Sequence, residues 1–169
     1  MRQTGQSYFV SSQTANRTPF FRHARWAQLL LDVLEHYRAD YLLHAYVLMP
    51  DHFHILITPK ESLEKAIQNI KGGFSYRAKK ELNWQGEVWQ KGFSDHRIRD
   101  MKDWMKHLDY IRRNQIKVNL CDHPEEYLFG SHTGRLTMDI VPQRLKPLDF
   151  GIDNGGAEAQ PLQEMLERK

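Results

Sequence analysis

The sequence predicts a single α+β domain, in which helices pack on an antiparallel β-sheet, followed by a C-terminal extension. Apolar segments typical of strands alternate with segments of helical spacing, in the order β, α, β-hairpin, α, β, α. The length of 169 residues fits one domain with a tail. Sustained periodicity ends near residue 130, so we assign 1–130 to the domain and 131–169 to an extension of low or conditional order.

The first half of the chain predicts a strand, a helix and a hairpin. Residues 7–12 form a short strand, and 22–37 form an amphipathic helix with apolar residues at helical spacing. The apolar segment 41–49 is too short for a typical independent helix and predicts a buried strand. Pro50 begins a dipeptide typical of turns, so 52–58 is predicted to return as the second strand of a hairpin.

The second half predicts two helices separated by a strand. A helical pattern begins after Pro59, and the pair Gly72 and Gly73 interrupts it, which predicts a kink or a break. Residues 83–99 predict a loop and a further strand, and 100–114 predict the third helix.

Charge and hydropathy restrict the cellular location and the binding partners that we expect for the protein. The net charge is only +3, but residues 65–117 contain 13 Lys or Arg and six Asp or Glu, a net +7. Such a concentration is typical of a phosphate-binding surface, although well-solvated helices give the same count. No apolar run is long enough to cross a membrane, the N-terminus lacks a signal peptide's apolar core, and the single Cys121 excludes an intrachain disulfide. We therefore expect a cytoplasmic protein.

The second strand of the hairpin carries two histidines on one face. Because side chains alternate along a strand, Phe53, Ile55 and Ile57 share the face directed to the core. His52 and His54 then project together from the opposite face, where two imidazoles at i and i+2 can bind one metal ion. A pair of surface histidines on a half-exposed sheet is the commoner explanation of an isolated His-x-His motif.

The third helix places a tyrosine away from its apolar stripe. At about 100° per residue, Tyr110 lies about 150° from the centre of the stripe. Asp103, Lys106, His107 and Asn114 cluster near it. A tyrosine that serves only packing is expected on or beside the stripe, so Tyr110 is a candidate functional residue, with an exposed or interfacial tyrosine as the alternative.

Together, the strand and the helix suggest metal-dependent phosphodiester chemistry. A metal ion held by His52, His54 and the side-chain oxygen of Asn114 would keep open positions for a phosphate and act as a Lewis acid. Tyr110 would then be the nucleophile that forms a covalent phosphotyrosine.

Four segments, in order, resemble the REP-associated tyrosine transposases, a branch of the single-tyrosine HUH transposases. They are AYVLMPDHFHILITP (45–59), residues 70–82, VWQKGFSDHRIRD (88–100) and residues 108–127. The first contains the family's His-hydrophobe-His triplet, and the last contains Tyr-Ile-x-x-Asn. This combination is more specific than the triplet alone.

The resemblance implies a ferredoxin-like fold with the HUH motif on a central strand. It implies cleavage and rejoining of single-stranded DNA beside hairpins of palindromic repeats, through a 5′-phosphotyrosine that leaves a free 3′-OH. Carried over by position, Tyr110 is the catalytic nucleophile, and His52, His54 and Asn114 are ligands of Mg²⁺ or Mn²⁺, although the ligand types also permit zinc. Such proteins act as monomers or homodimers, and a DNA-processing role implies association with the nucleoid.

After Asn114 the chain departs from the family's usual Pro-Val-x-x-Gly-Leu and carries Gln-Ile-Lys-Val-Asn-Leu, so we expect a different helix end.

Two other functions remain open. One is a non-catalytic hairpin or single-stranded nucleic-acid-binding protein derived from such an enzyme. The other is a His-x-His metallohydrolase of small substrates, which would leave Tyr110 and the basic segment without a role.

Basic and aromatic side chains supply candidate contacts with DNA. Basic residues expected to contact phosphates, mainly for affinity, are Lys71, Arg77, Lys79, Lys80, Lys91, Arg97, Arg99, Lys106, Arg112 and Arg113. Aromatic candidates for stacking on unpaired bases, of which we expect at least half to pack in the core, are Tyr76, Trp84, Trp89 and Phe93. Further histidines, for which a structural role is the commoner outcome, are His44, His96 and His107.

Overall fold

The computed structural model describes residues 5–145 and contains a four-stranded antiparallel sheet with three helices. The strands are β1 (Tyr8–Gln13), β2 (Tyr41–Met49), β3 (His52–Pro59) and β4 (Ser94–Arg97). The helices are α1 (Ala24–His36), α2 (Leu63–Leu82) and α3 (Met101–Lys117). The predicted α+β class and element order are confirmed. No helix within the described range is long and apolar enough to cross a membrane.

The strand that carries the two histidines lies inside the sheet. The strand order is β2-β3-β1-β4, so β3 has a hydrogen-bonded neighbour on each side. The register pairs His54 with Ser11 of β1 and with Val47 of β2. A tight turn at Pro50 and Asp51 connects β2 to β3, as the sequence predicts. The predicted position of the HUH motif on a central strand is therefore confirmed.

Both faces of the sheet are covered. On one face, Phe53, Ile55 and Ile57 pack in a core with α1 and α2. On the other face, Leu56 packs in a second core with Ile111 of α3. The alternation predicted for β3 is confirmed, but the histidine face is not half-exposed, because α3 lies over it.

Helix α2 continues through both glycines, so the predicted kink or break is wrong. A Cβ at Gly73 would lie 2.5 Å from the ring of Tyr37, which follows α1, whereas a Cβ at Gly72 would meet nothing within 4 Å. Gly73 therefore permits close packing rather than a break in the helix. The helix is bounded by Ser62, whose hydroxyl caps the first turn, and by Asn83 in a left-handed conformation.

Helix α3 runs three residues beyond its predicted end. The carboxylate of Asp100 caps its start, and the helix continues past Asn114 to Lys117. Gln115 occupies the position at which the family usually has proline, so its backbone N–H is available to extend the helix. Asn119 takes a positive φ of 58° where the family usually has glycine, since Asn tolerates the left-handed region better than most residues.

A segment that follows α3 lies along the open edge of β2. The carbonyl of Phe129 accepts a hydrogen bond from Leu48 N–H at 2.9 Å. Asp139 binds Leu43 twice, with its N–H donating to the carbonyl at 2.7 Å and its carboxylate accepting from the N–H at 2.8 Å. Residues 131–145 of the predicted extension thus lie in the described part of the chain, and 146–169 lie outside it.

Candidate active site

His52 and His54 lie side by side on β3, with their ring centroids 4.8 Å apart. In each ring an oxygen lies 2.6 Å from Nδ1: Ser11 Oγ for His54 and Asp51 Oδ1 for His52. Hydrogen bonds of this kind fix the orientation and tautomer of metal-binding imidazoles. When both Nδ1 atoms are engaged in this way, the two Nε2 atoms are available as ligands.

His54 is suited to binding a metal ion. Its Nε2 atom is buried and has no hydrogen-bond partner among residues 5–145. Burial, together with repulsion from His52, lowers the pKa of His54 to about 3. The imidazole is therefore neutral near pH 7, which is the form that binds metals. A buried nitrogen without a partner is costly unless a ligand satisfies it, so these residues fit a metal ion.

Ser11 and Asp51 were not identified as site residues from the sequence. For Asp51, the only feature of the sequence that could have indicated a role in the site is its position directly before His52. The dipeptide Pro50-Asp51 predicts a turn, and that explains Asp51 without a role in the site. Its second oxygen accepts from Arg17 at 3.2 Å. Burial raises the pKa of Asp51, but hydrogen bonds from His52 and Arg17 outweigh it and lower the pKa below its ordinary value. Ser11 reaches His54 only through the register of β1 with β3, which no local pattern encodes.

Tyr110 lies beside this pair. Its ring centroid is 5.2 Å from that of His54 and 5.5 Å from that of Phe9, in edge-to-face contacts. The side chain is 38% exposed, and the Nζ atom of Lys117 lies 5.2 Å from its ring centroid. The structure thus brings a partly exposed tyrosine from α3 against the histidines of β3.

Asn114 and Asp103 occupy a different environment from the one that helical periodicity predicts. The sequence places both on the polar side of the third helix, but they are 7% and 6% exposed. The reason is that α3 contacts β2 and β3, and therefore buries a broad face that includes polar positions. Asn114 lies one turn beyond Tyr110 on this covered helix.

A basic surface cavity of about 290 Å³ opens beside the nucleophile candidate. The residues that line it are Phe9, Lys106, His107, Asp109, Tyr110 and Lys117. Lys117 was not among the candidates from the sequence, because a residue seven positions after Tyr110 was predicted to lie beyond the helix. Two ammonium groups at one cavity favour an anionic ligand.

Four of the predicted DNA contacts lie on α2, in the layer opposite Tyr110: Lys71, Arg77, Lys79 and Lys80. Arg77 pairs with Glu81 at 2.6 Å and with Asp32 at 3.7 Å. Lys71 donates to the carbonyl oxygens of Gln90 and Gly92, and so supports the loop before β4. The structure does not bring these four side chains to the candidate site.

The remaining basic candidates lie just before β4, at its end, just after it or on α3: Lys91, Arg97, Arg99, Lys106, Arg112 and Arg113. Lys91 shares a cavity of about 250 Å³ with Ser11. Arg113 pairs with Asp109 at 2.8 Å, and Arg112 lies 3.5 Å from Glu125. Exposed pairs of this kind contribute little to stability, so phosphates can replace the carboxylates at low energetic cost.

The other predicted aromatic and histidine candidates are mainly structural. Trp84, Trp89 and Phe93 pack against the first core, whereas Tyr76 is 64% exposed. The expectation that at least half of these rings pack is confirmed. His44 is buried and bonds Thr58 Oγ1 at 2.9 Å and a backbone carbonyl at 3.0 Å.

Comparison with known proteins identifies the family and the fold. Residues 5–114 match the family described as "Transposase IS200 like". A REP-associated tyrosine transposase of Escherichia coli K12 is 26% identical over 142 residues, covering 82% of this chain and 83% of the relative. A Haemophilus influenzae protein, provisionally described in the same way, is 28% identical over 121 residues, covering 64% of this chain and 68% of the relative.

The fold has a solved counterpart. The structure of a REP-associated tyrosine transposase bound to a REP hairpin matches with a TM-score of 0.68 and 23% identity, covering 94% of both chains. The family match covers more than half of the sequence and includes both histidines and Tyr110. On this basis, the protein belongs to the IS200-like transposase family.

Proposed function

We propose that this protein is a metal-dependent endonuclease and strand transferase, which cleaves single-stranded DNA near a hairpin through a 5′-phosphotyrosine intermediate. Tyr110 is the nucleophile in this proposal. His52, His54 and Asn114 are the metal ligands, and the metal is Mg²⁺ or Mn²⁺.

The observation that carries this proposal is the environment of His54. Its buried Nε2 has no partner within residues 5–145, and its ring lies 5.2 Å from the ring of Tyr110. A buried ring nitrogen without a hydrogen-bond partner therefore lies next to a partly exposed phenol. A packing role alone gives no reason for that pairing, because a buried nitrogen without a partner destabilises the fold.

The donor set supports the assignment of the metal site. Two imidazoles and an amide oxygen leave positions open for phosphate oxygens, and such a mixed set accepts Mg²⁺ or Mn²⁺. When bound, the metal would withdraw negative charge from the phosphodiester. Ser11 and Asp51 would hold the two rings in place.

In the proposed reaction, the Tyr110 oxygen forms a bond to phosphorus while the bond from phosphorus to the 3′-oxygen breaks. The phenol proton is lost to solvent, and the departing oxygen takes a proton to become a free 3′-OH. Attack of a 3′-OH on the phosphotyrosine reverses these bonds, which rejoins DNA and restores Tyr110. Lys106 and Lys117 line the adjoining cavity and would stabilise the charged phosphate.

The proposed substrate follows from the relatives and from the surface. The matched solved structure is of a transposase bound to a REP hairpin. The cavity beside Tyr110 carries two lysines, and Lys91 lies near Ser11, so positive charge flanks the histidines. Phosphate contacts of this type supply affinity with little sequence information.

A cleavage assay with a matched histidine control tests the proposal. The substrate is a single-stranded oligonucleotide that contains a palindromic repeat from the DNA flanking the gene. We expect cleavage in Mn²⁺ or Mg²⁺, none in EDTA, and none with His54→Ala. His23→Ala, which alters an exposed histidine outside the site, should cleave normally. DNA affinity, measured by fluorescence anisotropy, should stay within about tenfold in both variants, because phosphate contacts dominate binding.

Two outcomes would contradict the proposal. One is cleavage by His54→Ala at the wild-type rate. The other is strong hairpin binding by the wild type without cleavage in any divalent metal, which would instead identify a non-catalytic nucleic-acid-binding protein.

A further inference from the structure

A second cluster of side chains that could hold a metal ion is separate from the proposed ligands of the catalytic metal, and one member, His107, lines the cavity beside Tyr110. It consists of His96 on β4 and of Asp103 and His107, which are one turn apart on α3. One donor atom of each side chain lies within 4.8 Å of the donor atoms of the other two. None of these residues belongs to the set formed by His52, His54 and Asn114.

Asp103 is the centre of the cluster. Its Oδ2 atom is 2.8 Å from Nε2 of His96, and its Oδ1 atom is 3.3 Å from Nδ1 of His107. The two imidazole rings stack on each other, with centroids 4.5 Å apart and an interplanar angle of 21°. The carboxylate is 6% exposed, so its charge is shielded from water and directed at the two rings.

We propose that His96, Asp103 and His107 form a second metal site, which binds one Zn²⁺ or similar transition-metal ion and joins β4 to α3. Two imidazoles and one carboxylate form a ligand set that Zn²⁺ uses in proteins, with a further position left for water.

The spacing permits this coordination after a small adjustment. Ligand atoms about 2.1 Å from one tetrahedral metal ion lie about 3.4 Å from each other. The widest separation in the cluster, which is within 4.8 Å, must therefore contract by up to about 1.4 Å. His96 can supply this movement, since its side chain is 40% exposed.

The surroundings already orient the carboxylate. The backbone N–H of Arg99 donates to Asp103 Oδ2 at 3.1 Å, which is the kind of outer contact that positions metal ligands. The guanidinium of Arg99 also lies 3.3 Å from this oxygen, but its side chain is 69% exposed and can move into solvent.

Metal binding would displace protons from the cluster. His96 Nε2 and His107 Nδ1 now donate to acceptors of Asp103, namely a carboxylate oxygen and the main-chain carbonyl. These protons would pass to solvent as the nitrogens bind the metal.

Such an ion would cross-link β4 and α3 near the proposed active site. Strand β4 has four residues and, within residues 5–145, pairs with β1 alone, so its backbone hydrogen bonds stabilise it only weakly. The ring of His107 lies 4.9 Å from that of Phe9, which in turn lies 5.2 Å from the ring of His54. A metal at the cluster would thus fix the edge strand to the helix that carries Tyr110.

Metal titration in a background without the β3 histidines tests the site. The protein is prepared without an affinity tag, so that no added histidines bind metal. The double substitution His52→Ala and His54→Ala removes the proposed catalytic metal site. In this background, isothermal titration should show one Zn²⁺ per chain, and Co²⁺ should give the visible absorption of a nitrogen-ligated ion. Adding His96→Ala should weaken binding by more than the roughly 10–100-fold that loss of an outer-shell partner costs.

Controls separate ligand loss from unfolding. Circular dichroism should show that every variant is folded, and His23→Ala in the same background should bind Zn²⁺ unchanged. Zn²⁺ should also raise the unfolding temperature of the background protein but not that of the His96→Ala version. The proposal is overturned if the folded background protein binds no Zn²⁺, or if neither His96→Ala nor His107→Ala weakens binding. DNA cleavage does not enter these measurements, so their outcome is independent of the proposed function.

Discussion

The imidazoles of β3 depend on neighbours that are not ligands themselves. Asp51 and Ser11 each place an oxygen 2.6 Å from an Nδ1 atom. These contacts decide which nitrogen of each ring is free and where it is directed. The proposed metal site at the residue scale therefore includes four side chains of β1 and the hairpin, rather than the two histidines alone.

Replacing Asp51 tests this dependence. Asp51→Ala should weaken Mn²⁺ affinity, measured as the Mn²⁺ concentration that half-saturates cleavage, by about 10–100-fold. The control is Asp32→Ala, since Asp32 is an exposed carboxylate on α1 in the opposite layer. Equal Mn²⁺ dependence in the two variants would show that Asp51 does not position His52.

His44 makes stability depend on pH. Burial lowers the pKa of His44 below its ordinary value of about 6.5, despite hydrogen bonding to Asp139. As pH falls below about 6.5, the unfolded chain therefore takes up a proton at this residue more readily than the folded chain does, and stability decreases. In urea titrations at pH 7 and pH 5, His44→Gln should lose less stability on acidification than the wild type. His23→Gln, at an exposed position, should behave as the wild type, and an identical loss in His44→Gln would contradict this account.

Helix α2 shows how one residue type serves two purposes within one element. Gly72 faces open space, whereas a side chain at Gly73 would collide with Tyr37. A sequence pattern cannot separate these cases, because the collision partner lies in another element. This is why the sequence predicted a break where the structure has an uninterrupted helix.

A pair of alanine substitutions separates the two glycines. Gly72→Ala should stabilise the protein by about 0.5–1 kcal/mol, because it lowers the entropy of the unfolded chain. Gly73→Ala should destabilise it by about 1–3 kcal/mol, since the Tyr37 ring must move. Urea midpoints of the two variants and the wild type measure both effects. Stabilisation by Gly73→Ala would show that Tyr37 moves at no cost.

At the scale of the whole molecule, the segment after α3 closes one edge of the sheet. Open strand edges present unpaired backbone groups that favour association between chains. Asp139 anchors this closure, because its carboxylate accepts the Leu43 N–H at 2.8 Å and pairs with Arg38 at 2.6 Å.

Loss of that anchor should be measurable. Asp139→Ala should lower the free energy of unfolding by about 1–3 kcal/mol, because it leaves the Leu43 N–H without this acceptor and removes the carboxylate that pairs with Arg38. Asp109→Ala, which removes an exposed partner of Arg113, should change it by less than about 1 kcal/mol. Equal effects in urea titrations would show that the edge contact contributes no more than a surface ion pair.

The features that could be predicted from the sequence are those that depend on the spacing of residues along one strand or one helix. The period of two on β3 identified the shared face of His52 and His54, and helical spacing set Tyr110 apart from the apolar stripe. Contacts between distant segments could not be found in this way. Ser11 meets His54 across 43 positions, and His96 meets Asp103 through a strand and a helix whose packing no local pattern encodes.

The central claim is that Tyr110 forms a covalent bond to DNA, and trapping that bond tests it most directly. Hairpin DNA with a single-stranded extension and a label at its 3′ end is incubated with protein and Mn²⁺, then run on a denaturing gel. We predict that the label moves to the protein band with the wild type and with Tyr76→Phe, whose tyrosine is exposed on α2. Tyr110→Phe should bind the DNA but form no adduct. An adduct formed by Tyr110→Phe as readily as by the wild type would contradict the assignment.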